Sequence, residues 1–94
     1  ALDGRLYHYR DSDGLECDAV LHRRNGSYGL IEIKLGGETK ITEAVDTLNK
    51  LENKIDTTRM PNPAFKMVVT AVGKYAYRRK EDGIYVVPIG CLKP

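Results

Sequence analysis

Ninety-four residues are enough for one domain with a single core, and 41% hydrophobic with 30% charged residues exclude a disordered chain. A net charge of +2 does not by itself announce a nucleic-acid binder, and no apolar run approaches the roughly 18 residues of a membrane helix. Two cysteines, Cys17 and Cys91, are too few for a disulfide framework, so a cytoplasmic protein is the simplest reading.

The chain opens on Ala1 with no signal-peptide pattern, which reads as a piece cut from something longer. Residues 6–10 form an aromatic-rich strand, and Asp11-Ser12-Asp13-Gly14 turns it into a second strand over 15–22. Asn25-Gly26 marks the next reversal, with a third strand over 28–35. These three make an antiparallel meander. After Gly36-Gly37 the period changes: Ile41, Ala44, Val45, Leu48, Leu51 and Ile55 form a helical stripe. Thr39 or Thr42 is placed to cap it, and Asn49, Lys50, Glu52, Asn53 and Lys54 read as a solvated face.

Two prolines in 57–63 end the helix. Residues 65–72 read as an interior strand, which a right-handed crossover sets parallel to another strand of the sheet. Residues 75–79 read as a further strand or an irregular arm, and 84–87 as a short last strand stopped by Pro88. The fold class is therefore mixed: an α+β or α/β single domain over 1–94. Arg23-Arg24 and Arg78-Arg79-Lys80 are basic clusters that read as solvated loop ends.

The chemistry concentrates on the second and third strands, where Glu16, Asp18, Glu32 and Lys34 alternate with apolar residues. Register decides whether they meet. A two-residue loop at Asn25-Gly26 puts the acids on opposite faces. A three-residue loop, Arg24-Asn25-Gly26 with Gly26 in the left-handed bulge position, sets Asp18 opposite Glu32 and Glu16 opposite Lys34. The second arrangement also lets Ala19 and Leu21 share a core face with Ile31, Ile33 and Leu35, so it is preferred. Opposed Cβ atoms would be roughly 4.5–5.5 Å apart, close enough for two carboxylates to hold one ion.

Asp18 and Glu32 would then bind Mg²⁺ or Mn²⁺, with the Ile33 backbone carbonyl as a third ligand. Lys34 would orient or deprotonate the attacking water, or neutralise a phosphate. Glu16 is a supporting residue, a further ligand or the ion-pair mate of Lys34. The plainer alternative is a polar sheet face with weak cross-strand ion pairs.

Gly14-x-Glu16-x-Asp18 followed by Glu32-x-Lys34 resembles the PD-(D/E)XK nuclease superfamily, over roughly residues 5–72. That resemblance implies a restriction-endonuclease-like core, with Asp18, Glu32 and Lys34 as catalytic residues, and DNA as substrate. Tyr9-Arg10-Asp11, Glu16-Cys17-Asp18, Ile31-Glu32-Ile33-Lys34 and Asp82-Gly83-Ile84-Tyr85-Val86-Val87-Pro88 are similar to the uncharacterised C-terminal nuclease-like domain of prokaryotic AAA+-type ATPases. They imply an upstream ATPase domain, and Glu16 matches a motif glutamate of that group.

The chain departs from the family in lacking the helix that usually precedes the first strand. It also has no P-loop, so ATP hydrolysis does not reside here. A missing helix would leave apolar surface uncovered and favour association through the sheet edge or face. The alternative function is a catalytically inactive nuclease fold that binds nucleic acid or a protein partner and regulates the ATPase. His8 and His22 read as sheet histidines, although His22 shares the Asp18 face and could contact substrate. Tyr7, Tyr9, Tyr75, Tyr77 and Tyr85 read as packing residues before base-stacking ones.

Overall fold

A computed structural model describes residues 4–92. Its elements are β1 (Gly4–Arg10), β2 (Glu16–Arg23), β3 (Tyr28–Lys34), α1 (Glu38–Lys54), β4 (Phe65–Thr70), β5 (Tyr77–Arg78) and β6 (Tyr85–Pro88). A 3₁₀ turn, Ile89–Cys91, follows. One mixed sheet holds all six strands in the order β1-β2-β3-β4-β6-β5. β1, β2 and β3 form the antiparallel meander, and α1 carries the chain back so that β4 lies parallel to β3. β6 is parallel to β4, and β5 pairs antiparallel at the far edge. No helix among the described residues is long and apolar enough to cross a membrane.

Local chemistry makes the two turns of the meander. Asp11 Oδ1 accepts hydrogen bonds from the N–H groups of Asp13 and Leu15, both at 3.0 Å, and Gly14 takes φ +84°. In the second turn Asn25 Oδ1 accepts from the Ser27 N–H at 2.9 Å and Gly26 takes φ +87°, a backbone that side chains disfavour. The Arg23 N–H donates to the Ser27 carbonyl at 2.9 Å, so the loop has three residues. The register follows: His22↔Tyr28, Val20↔Leu30 and Ala19↔Ile31 are opposed.

The helix packs on the face opposite to the one the alternation predicts. Ile41, Ala44, Val45, Leu48 and Leu51 bury against Cys17, Tyr28, Leu30, Val68, Ile84 and Val86. Along β3 the even-numbered residues therefore face the helix, and Glu32 is only 4% exposed. The other face, with Ile31 and Ile33, carries no helix among the described residues. Ile33 is 47% and Leu35 66% exposed. The reason is that β3 is apolar on both faces at its start. The helix settles where Tyr28 and Leu30 meet Val20 and Val68, leaving Ile33 and Leu35 uncovered on the odd face, although Leu21, Val69 and Val87 are buried there.

Gly37 occupies the helix N-cap and makes no side-chain capping bond, so neither Thr39 nor Thr42 caps it; Thr42 Oγ1 instead donates to the Glu38 carbonyl at 3.2 Å. The polar stripe of the helix is also more than a solvated face. Lys66, buried on β4, donates to Glu52 at 2.8 Å and to Asn49 at 3.1 Å, while Asn49 donates to Asp82 at 3.2 Å. This network ties α1 to β4 and to the turn before β6. Lys54 ties α1 to the β1–β2 turn, reaching Asp11 at 2.6 Å and Asp13 at 2.8 Å. The Lys54 ammonium accordingly holds the Asp11 carboxyl below its ordinary range.

Gly29 and Phe65 are opposed on β3 and β4, and the Phe65 ring lies over the glycine. A Cβ at Gly29 would come within 2.1 Å of the ring. Gly29→Ala is expected to push the ring off its seat and destabilise the domain by about 1–3 kcal/mol, read from urea unfolding.

Candidate functional site

The carboxylate pair is built at an irregularity in β2. Tyr7 is opposed to Val20 and Tyr9 to Cys17, so His8 of β1 faces two residues, Asp18 and Ala19. Such a bulge bends its strand and re-aims a side chain. On the other side the β2–β3 pairing ends at Ala19↔Ile31, so the next position along the two strands holds Asp18 and Glu32.

Side chains take over from the ladder there. Alternation would make Cys17 and Ile33 the next hydrogen-bonded pair. Instead the Ile33 N–H donates to Asp18 Oδ2 at 2.8 Å. The Cys17 thiol donates to the Ile31 carbonyl at 3.4 Å and the Ala19 carbonyl at 3.3 Å. Burial pushes that thiol up to about 11, which makes it an inert core group. A strand residue's N–H and C=O point to the same side, so the Ile33 carbonyl also points towards β2, beside Asp18.

Glu32 is the perturbed group of the site. Burial first, and then the hydrogen-bonding and charge of the Asp18 carboxylate, push its carboxyl up to about 7. The positive charge of Lys34 acts in the opposite direction. Lys34 is half-buried and makes no ion pair among the described residues, so its amine is uncommitted. At neutral pH the Glu32 carboxyl is therefore about half protonated beside Asp18.

Glu16 does not join this group. It is opposed to Arg10, and its Oε1 lies 3.8 Å from both His8 Nε2 and Arg10 Nε. Lys34 is therefore not its partner as the register alone would have it. The β2–β3 pairing ends at Ala19, so Glu16 is paired with β1 alone. Among the described residues no three His, Cys, Asp or Glu side chains are placed to hold a metal ion together.

Sequence reasoning passed over a second constellation. Gly4, Arg5, Tyr7, His22, Arg23 and Arg24 line one concavity at the other end of β2. Tyr7 and His22 meet edge to face, with ring centroids 6.4 Å apart. The signal lies in the β1–β2 register, which opposes Arg5 to His22 and cannot be read without the bulge.

Neither curated proteins nor solved structures return a match to this chain. A family model described as Domain of unknown function (DUF4143) matches residues 1–92. With that span covered, the chain belongs to the DUF4143 family.

Proposed function

We propose that this domain is a Mg²⁺- or Mn²⁺-dependent phosphodiester hydrolase of the nuclease type, acting on DNA. The observation that carries the reading is the buried Glu32 beside an Asp18 carboxylate re-aimed by a strand bulge, with an uncommitted Lys34 two residues on. A meander, a crossover helix and a parallel fourth strand are the order that a restriction-endonuclease-like core requires, which supports the resemblance. On the same resemblance we place an ATPase upstream of the domain, and from the cysteine usage we place the protein in the cytoplasm.

The donor set suits a hard divalent cation. Asp18 and Glu32 offer carboxylate oxygens, and the Ile33 carbonyl points to the same side. Two carboxylates and a carbonyl leave coordination positions for water and a phosphate oxygen. When bound, such an ion acidifies a coordinated water and neutralises charge on the phosphate. Lys34 adds a positive charge that would orient the water or stabilise the phosphorane-like charge as it builds. Burial under α1 holds Glu32 in place, and the Ile33 N–H fixes the Asp18 rotamer.

The test is cleavage of plasmid and oligonucleotide DNA by the full-length protein. Hydrolysis that needs Mg²⁺ or Mn²⁺ and stops with EDTA is the expected result. DNA binding with no turnover under any divalent ion would instead establish the non-catalytic nuclease fold.

A further inference from the structure

We infer that the outer edge of β1 is a self-association surface, on which β1 of a second copy of this chain pairs antiparallel about a two-fold axis at Tyr7. The inference is independent of the hydrolase reading and uses none of its residues.

One side of the β1 backbone is unpaired. β1 ends the sheet, with β2 as its neighbour among the described residues. The direction of its hydrogen bonds follows from the Arg23 end of β2. The Arg23 N–H donates to the Ser27 carbonyl and the Arg23 carbonyl accepts from the Gly26 N–H, so both groups point to the β3 side. Alternate residues of a strand point to opposite sides, so His22 and Val20 turn their groups to β1. These two are opposed to Arg5 and Tyr7, which therefore bond inward. Gly4, Leu6, His8 and Arg10 are left with N–H and C=O directed away from the sheet. The bulge does not disturb this alternation, because its extra residue lies in β2.

The two edges of the sheet differ. Edge strands are ordinarily kept short, bulged, or marked by proline or lysine. β5, at the far edge, is two residues long. β1 runs for seven residues without proline or lysine, and all seven are exposed. Leu6 is 63% and Tyr7 51% exposed. Only Arg5 and Arg10 bear charge towards an incoming strand, and they select its register.

An axis at Tyr7 sets Arg5 opposite Tyr9 of the second copy, Leu6 opposite His8, and Gly4 opposite Arg10. Each arginine then faces an uncharged residue, and Arg5 gains an aromatic ring to lie against. Leu6 with His8, and Gly4 with Arg10, form hydrogen-bonded pairs, while the two Tyr7 residues meet at a non-hydrogen-bonded position. An axis at Leu6 or at His8 would leave part of the strand with no opposite residue in β1. A second copy carries the matching pattern by symmetry, which makes it the occupant. Opposed residues share a face, so both α1 helices lie on one side of a continuous sheet.

The experiment uses the full-length protein with Cys91→Ser as background. Tyr7→Cys puts a thiol on each side of the axis, with Cα atoms about 4.5 Å apart and within disulfide reach. Leu6→Cys and His8→Cys do not face their own counterparts. Under mild oxidation Tyr7→Cys should run as a covalent dimer on a non-reducing gel, and the other two as monomers. Sedimentation should give a dimer for the wild type and a monomer for Leu6→Pro, which removes an outward N–H that β2 does not use. A dimer that survives Leu6→Pro, or Leu6→Cys cross-linking as readily as Tyr7→Cys, would overturn the inference. A monomeric wild type would overturn it too, and slow hydrogen exchange at the Leu6 and His8 amides would then assign the edge to another part of the chain. If Leu6→Pro does not fold, the cross-linking pattern still decides.

Discussion

Glu32→Gln is expected to make the domain more stable at pH 8, by about 3 kcal/mol, and little different at pH 4. Folding raises the Glu32 carboxyl from 4.5 to about 7, so the folded state holds this proton where the unfolded chain has lost it. For an acid shifted upward, the associated stability is fully present below pH 4.5. It drains away as pH rises towards 7 and stays lost above that. About 2.5 pH units at 1.36 kcal/mol each give the expected size. Glutamine keeps a neutral amide beside Asp18 at every pH and escapes the loss. Urea unfolding at both pH values checks this, and a wild type whose stability is flat from pH 5 to pH 8 would count against a buried, Asp18-coupled Glu32. Mg²⁺ should restore stability to the wild type at pH 8 and do little for Glu32→Gln, because a cation replaces the proton between the two carboxylates.

Lys34→Ala should cost about 100-fold or more in the DNA cleavage rate, with the rate maximum moved to higher pH. The rate loss follows from removing a fixed positive charge from where negative charge builds during phosphate attack. The shift in pH has a separate cause. Lys34 lowers the Glu32 carboxyl, and without it Glu32 keeps its proton to higher pH and competes longer with the metal. Lys34→Arg restores the charge and should recover the pH profile even if the rate stays low. An alanine variant that cleaves DNA at the wild-type rate would remove Lys34 from the mechanism.

The elements through β4 and the antiparallel meander were legible because turn chemistry and hydrophobic alternation agree. Asn25-Gly26 after Arg24 specifies a three-residue loop, and that loop brings Asp18 level with Glu32. What alternation could not reveal is which face the helix would cover. Ala19, Leu21, Ile31, Ile33 and Leu35 make the longer apolar row, yet the helix chose the row that holds Val20, Tyr28 and Leu30. That choice buries Glu32 and turns an expected surface pair into a perturbed one.

The bulge at Asp18 and Ala19 was equally hidden, since an extra residue on one strand has no composition of its own. It redirects Glu16 to Arg10 and creates the Arg5–His22 opposition behind the cationic cavity. Asn49, Glu52 and Lys54 looked like ordinary solvated residues because their partners, Lys66, Asp82 and Asp11, are distant in sequence.

We propose that Asp18 and Glu32 hold one divalent cation. A crystal of the protein grown above pH 7.5 and soaked in Mn²⁺ tests it through the anomalous signal of the metal. A single peak is expected between the two carboxylates and within ligand distance of the Ile33 carbonyl. Full Mn²⁺ exposure with no peak at that position, and Glu32 still turned to Asp18, would contradict it.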